Sequence, residues 1–86
     1  MDDEHIAALR KLVLAGWSGV PLGNPAEPEA LVYTRGRLGI LDSVHVRSYD
    51  NAMAIRAERG RNTRTSEGPV SKVVADVLSW QKGDDA

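Results

Sequence analysis

Apolar residues recur along the first fifteen positions with the period of a helix: Ile6, Leu9, Leu12 and Val13 fall on one face. Asp2, Asp3 and Glu4 crowd the start, where carboxylates favour the positive end of a helix dipole, and Arg10 and Lys11 come later. Gly16 offers a stop, because glycine accepts the left-handed conformation that follows a helix. This spacing predicts a helix over residues 2–15. A second stripe lies near the other end, where Val70, Val73, Val74, Val77 and Trp80 share a face flanked by Leu78. Lys72, Asp76 and Ser79 oppose it. Gly68-Pro69 opens this helix, with proline where a missing N–H costs nothing, and Gly83 is expected to end it, giving a helix over 69–82.

Between the helices the period changes to two. Leu38, Ile40, Val44 and Val46 share one parity, and Arg37, Ser43, His45 and Arg47 the other, as expected of a strand with one buried and one wet face. Asp42 breaks the apolar parity and predicts a bulge or bend near Asp42-Ser43. Leu31 to Arg35 reads as a short strand, and Tyr49-Asp50-Asn51 has turn chemistry. Residues 52–58 fit both periods. Propensity favours a helix capped by Asp50 and ended by Gly60. Alternation places Met53, Ile55 and Ala57 on one side and Ala54, Arg56 and Glu58 on the other, and the short spacers on each side favour this strand reading. Arg59-Gly60-Arg61 then turns into a last strand near Asn62–Ser66. Residues 17–30 hold three Pro and two Gly, which predicts a loop that Trp17, Val20 and Leu22 pin to the core.

The expected fold is α+β: a three- to four-stranded antiparallel meander with an N-terminal and a C-terminal helix packed on one face. The 86 residues make one domain, ordered as helix 2–15, wrapping loop 17–30, sheet 31–66 and helix 69–82. A strand ending Arg-Gly, a Val-rich strand with alternating charge, an Ala-rich strand ending in Arg, then Gly-Pro-Val and a Val-rich helix run from Leu31 to Trp80. In outline this half of the chain resembles small proteins of high-G+C Gram-positive bacteria. The resemblance rests on no diagnostic motif and carries no functional residues over.

Charge changes this picture more than composition does. The chain is 42% hydrophobic and 27% charged, which is ordinary for a globular domain. Residues 35–64, however, hold seven Arg, no Lys and three acidic residues, whereas the flanking segments are acidic. A guanidinium is a planar fork suited to carboxylate or phosphate. The Arg block reads either as a solvated sheet face or as an anion-binding one, and a high-G+C genome also enriches Arg through codon usage. On the second reading the candidate contact residues are Tyr33, Arg35, Arg37, His45, Arg47, Arg56 and Arg64.

Chemistry is sparse. With no Cys there is no thiolate, disulfide or iron–sulfur chemistry. His5 and His45 lie forty residues apart, and no phosphate-binding glycine motif occurs. Ser43, His45 and Asp42 are neighbours along one strand, which does not make a catalytic triad. No catalytic residue, metal or cofactor is expected. The two Arg-Gly-Arg triplets, at 35–37 and 59–61, lack the following proline of a minor-groove hook and read as hairpin turns. The acidic start lacks the features of a signal peptide, and no apolar run spans a bilayer, so a cytoplasmic protein without membrane contact is expected. The functional expectation is a non-catalytic protein–protein interaction or adaptor module that uses an open Arg-rich sheet face or an edge strand, with a second copy of the chain as one candidate partner. The alternative is a nucleic-acid-associated regulatory protein using the same arginines.

Overall fold

A computed structural model describes residues 4–24 and 26–85. Helix α1 (Glu4–Leu14) leads into five strands: β1 (Ser18–Asn24), β2 (Glu27–Arg37), β3 (Ile40–Ser48), β4 (Asn51–Glu58) and β5 (Arg61–Gly68). Helix α2 (Val70–Asp85) follows. The strands form one antiparallel sheet in sequence order, so the architecture is the expected α+β meander with five strands in place of three or four. The acidic residues Asp2 and Asp3, expected to cap α1, lie outside the described residues.

The C-terminus of α1 closes as a Schellman motif. Gly16 takes φ +96°. Its N–H reaches the Val13 carbonyl at 3.1 Å, and the Trp17 N–H reaches the Leu12 carbonyl at 3.0 Å. Leu12 and Trp17, the two residues this motif brings together, are both buried. The corner is tied to the far end of α2. Trp17 Nε1 donates to Gln81 Oε1 at 3.0 Å, and Gln81 Nε2 donates to the Ala15 carbonyl at 3.2 Å. At its other end α2 is anchored by the Val70 N–H, which donates to the Tyr49 carbonyl in the β3–β4 turn at 2.9 Å. α2 continues through Gly83, which was expected to stop it.

The predicted loop over 17–30 is instead β1 and the first part of β2. The prolines and glycines that suggested a loop are those an edge strand tolerates. β1 is the outer strand, where Pro21 has no ladder hydrogen bond to forfeit on its free side. The register shift between Leu22 and Gly23 absorbs the second glycine. Residues 52–58 are a strand, as their alternation indicated. The β4–β5 turn has positive φ at both Arg59 and Gly60, the requirement of a type I′ hairpin.

Cross-strand register assigns the faces. One row crosses all five strands as Gly19, Tyr33, Val44, Ala54 and Ser66, and the next as Pro21, Leu31, Val46, Ala52 and Gly68. These rows lie under the helices. Val44, Val46, Ala52 and Ala54 join Ala8, Leu12, Trp17, Val70, Val73, Val74 and Val77 in one buried core. β4 therefore has the opposite parity to that expected. Ala52 and Ala54 face the core, where their size lets the valine face of α2 settle on β3, β4 and β5, while Met53, Ile55 and Ala57 have the opposite parity.

Asp42 causes no bulge. It keeps its parity, enters the helix side, and stands opposite Arg56 on β4. Arg56 Nε and Nη2 donate to the two carboxylate oxygens of Asp42 at 2.7 and 2.8 Å. Arg56 and Asp42 are 1% and 2% exposed, and the Arg56 guanidinium lies 5.9 Å from the centre of the Trp80 ring. A buried pair of this kind is costly to break from one side, because the surviving charge is left in a low-dielectric setting. Arg56→Met should lower unfolding free energy by about 3–5 kcal/mol. Arg56→Met combined with Asp42→Leu should recover most of that loss, and urea unfolding of the single and double variants measures the difference.

A second polar tie joins α2 to β5. The Ser66 hydroxyl donates to Asp76 Oδ2 at 2.6 Å, and Lys72 Nζ reaches the same oxygen at 3.1 Å. The Ser66 hydrogen bond first, then Lys72, holds the Asp76 carboxyl below its ordinary value of 3.8. A carboxyl lowered in the folded state adds stability that is complete above its unfolded value and fades as pH falls through the folded one. Ser66→Ala should therefore cost more stability at about pH 6 than at about pH 2, as followed by thermal unfolding across that range.

Candidate functional site

The seven candidate contact residues do not share a face. Tyr33, Arg35, Arg37, Arg56 and Arg64 have helix-side parity, whereas His45 has the opposite parity and Arg47 lies at the β-bulge beside it. The physical reason is the parity of β3 and β4: placing Asp42 inward brings Arg56 inward with it. Register then aligns Arg35, Asp42, Arg56 and Arg64 in one row across β2 to β5. Arg56 is enclosed and bound to Asp42, Arg35 is half-buried, and Arg64 is exposed. The sheet thus has no open face studded with guanidinium groups. That expectation is replaced by a buried ion pair with arginines on either side of it.

Tyr33 is also a packing residue. Its ring lies against Gly19 on the neighbouring strand, where a Cβ would approach the ring carbon Cε1 to 2.7 Å. The glycine on the edge strand lets the aromatic ring cover the backbone, an arrangement known from cross-strand glycine–aromatic pairs.

The uncovered face has a different character from the one expected. Its central row runs Val20, Val32, His45, Met53 and Glu67 across all five strands. The adjacent row runs Ser18, Thr34, Ser43, Ile55 and Thr65. Leu22 and Leu41 extend the same face. Val20 is 55% exposed, Leu22 45%, Leu41 50% and Met53 41%. Within these two rows Glu67 is the single acidic or basic residue besides His45, although 27% of the chain is charged. A shallow depression of about 570 Å³ opens on the β3–β5 half of this face, floored by His45, Met53 and Ile55 and rimmed by Arg47, Asp50 and Glu67.

The signal for this face was present in the sequence as two exceptions to parity. Asp42 interrupts the apolar series of β3, and Arg56 shares a parity with Ala54 in β4. Two opposite charges that violate alternation in adjacent strands indicate that the charges pair inward. The larger aliphatic side chains of β4 then turn outward.

Both sheet edges are unsuited to adding a strand. β1 carries Pro21 and the irregularity at Leu22/Gly23. β5 pairs through a shift between Arg56 and Ala57 and displays Arg61, Arg64 and Glu67. Prolines, bulges and charges are the devices that keep edges from pairing with other chains. Among the described residues no cluster of three metal-ligating side chains occurs, and no helix is long and apolar enough to cross a membrane.

Gly19→Ala should force the Tyr33 ring aside and lower stability by about 1–3 kcal/mol. In the Tyr33→Ala background the same glycine substitution should be nearly neutral, so chemical denaturation of the double-mutant cycle should show strong coupling.

Comparison of the chain with protein-family models, with curated proteins and with solved structures finds no match in any of the three, so the function has to be read from this geometry.

Proposed function

We propose that the protein is a non-catalytic protein-interaction module whose contact surface is the uncovered sheet face. The observation that carries this reading is the composition of that face. The exposed side of an antiparallel sheet normally alternates polar and charged residues into water. Here it presents Val20, Leu22, Val32, Leu41, Met53 and Ile55 around a single carboxylate. Charge depletion at the centre of a patch, with charges kept to its rim, marks the core of a protein interface. Among the described residues, Arg47, Asp50 and Glu67 border the depression, while Arg35, Asp42, Arg56 and Arg64 form a row on the helix side.

Nucleic-acid binding through the arginines draws less support from the same geometry. A phosphate backbone needs several cations on one accessible surface. Arg47 lies near His45 on the uncovered face; Arg35, Arg37, Arg61 and Arg64 share the helix-side parity, but their two rows also carry Asp42 and Glu58, and Arg56 is enclosed.

Site-specific photo-crosslinking in cells that express the protein natively tests the reading. A photoreactive residue at Val20 or at Met53 should give adducts of discrete mass, and the same group at Ser79 on the outer side of α2 should give none. Adducts that form equally from both positions, or from neither, would overturn the assignment of the sheet face.

A further inference from the structure

Resting on the reading of the sheet face as a protein interface, we infer that its occupant is a second copy of this chain, stacked face to face about a two-fold axis that runs along β3. Three observations select this occupant. First, the face is laid out symmetrically about its central strand. In the central row His45 lies in the middle, with Val32 on β2 and Met53 on β4 at equal distances to either side. A two-fold axis along β3 places Val32 of each copy on Met53 of the other. It also carries β1 over β5 of the opposite copy, so that Val20 stands over the aliphatic stem of Glu67, whose carboxylate can reach out to water at the sheet edge, beside the depression of about 570 Å³. Val32 on Met53, and Met53 on Val32, exchanged by a two-fold axis, are the self-complementarity that an isologous interface requires.

Second, the area suffices. Five strands about 4.8 Å apart, with about eight residues each rising about 3.3 Å, present roughly 500–600 Å² per face. Two copies then bury on the order of 1,000–1,200 Å², the lower range of specific interfaces. Stacked sheets settle about 10 Å apart with their inner side chains interdigitated. Third, neither sheet edge competes as a route to self-association, since both carry strand-blocking features. The face itself offers a foreign partner little charge pattern to recognise, whereas a second copy supplies matching apolar surface. The same stacking gives a small one-sided core, built largely of Val and Ala, a second buried layer.

Sedimentation and light scattering on the full chain decide the matter. At about 100 μM the wild-type protein should run at twice its 9.3 kDa chain mass. Val32→Glu and Met53→Lys should each weaken association at least about 100-fold and run as single chains, with circular dichroism confirming that both remain folded. Because the axis sets position 32 of one copy on position 53 of the other, an equimolar mixture of the two variants should regain the two-chain mass through a Glu–Lys contact. Ser79→Glu, on the helix layer, should leave the dimer intact. A wild-type protein that stays a single chain overturns the inference, as does a dimer indifferent to both face variants, a mixture that fails to recover, or one broken by Ser79→Glu. A single-chain wild type that still gives a heterologous photo-adduct at Val20 or Met53 removes only the second copy and leaves the interface reading standing. A single-chain wild type with no such adduct removes both.

Discussion

The Asp42–Arg56 pair sets the orientation of everything around it. A strand has only two faces, and a one-residue slip exchanges them all. With the carboxylate of β3 and the guanidinium of β4 directly opposite each other and sealed under Trp80, neither strand can slip without stranding a buried charge. That constraint directs Val44, Val46, Ala52 and Ala54 under the helices and sends His45, Met53 and Ile55 to the other side. The apolar character of the uncovered face is therefore a consequence of the same registration that builds the core. Replacing the pair with apolar residues of similar volume can leave stability nearly unchanged, so its contribution is best understood as specifying which face is which.

The helix layer is fastened at its ends. The Schellman corner of α1 meets Gln81 near the end of α2, while the start of α2 hangs from the Tyr49 carbonyl at the β3–β4 turn. Between these ties, the valines of α2 rest on Ala52 and Ala54 of β4, and Ser66 and Asp76 fix the lateral position of the helix over β5. All of these contacts lie on one side of the sheet. Among the described residues, no element crosses to the opposite side, and it is this imbalance that leaves a five-stranded apolar surface without a cover.

Much of this was legible in the residues. The valine stripe of α2, the Gly16 stop, the hairpin at Arg59-Gly60 and the antiparallel meander all followed from period and turn chemistry, whereas in α1 only Leu9 and Leu12 of the expected stripe pack inward, joined by Ala8, and Ile6 and Val13 are exposed. β1 was not legible, because proline and glycine read as loop formers unless it is known that the segment lies at an edge, where one side of the backbone needs no partner. The parity of β4 was misread for a related reason. Met53 and Ile55 are larger and more apolar than Ala52 and Ala54, and local hydrophobicity assigns the larger pair to the core. Only the close approach of α2 makes alanine the better inward residue, and that approach is a tertiary fact. The arginine cluster was visible as composition, but its division between two faces depended on the parity that Asp42 imposes.

An uncovered apolar sheet face also limits what this protein can do by itself. Its depression is broad and open rather than enclosing, unlike the concave sites that bury most of a ligand. What a broad, weakly charged surface favours is another broad, weakly charged surface. Burying it gains free energy in proportion to apolar area, offset in part by desolvation of the Ser18, Thr34, Ser43 and Thr65 hydroxyls and the Glu67 carboxylate. The imidazole of His45 lies at the centre of the central row, furthest from the rim. Whatever covers the face must either leave that ring a water molecule or supply it a hydrogen-bonding partner, since an unsatisfied buried polar group costs more than a neutral contact returns. In a stack about β3 the two rings lie nearest the axis, and each neutral imidazole has one donor and one acceptor nitrogen. One ring can therefore donate to the other, or the two can share a water molecule, which a foreign apolar surface would have no group to match.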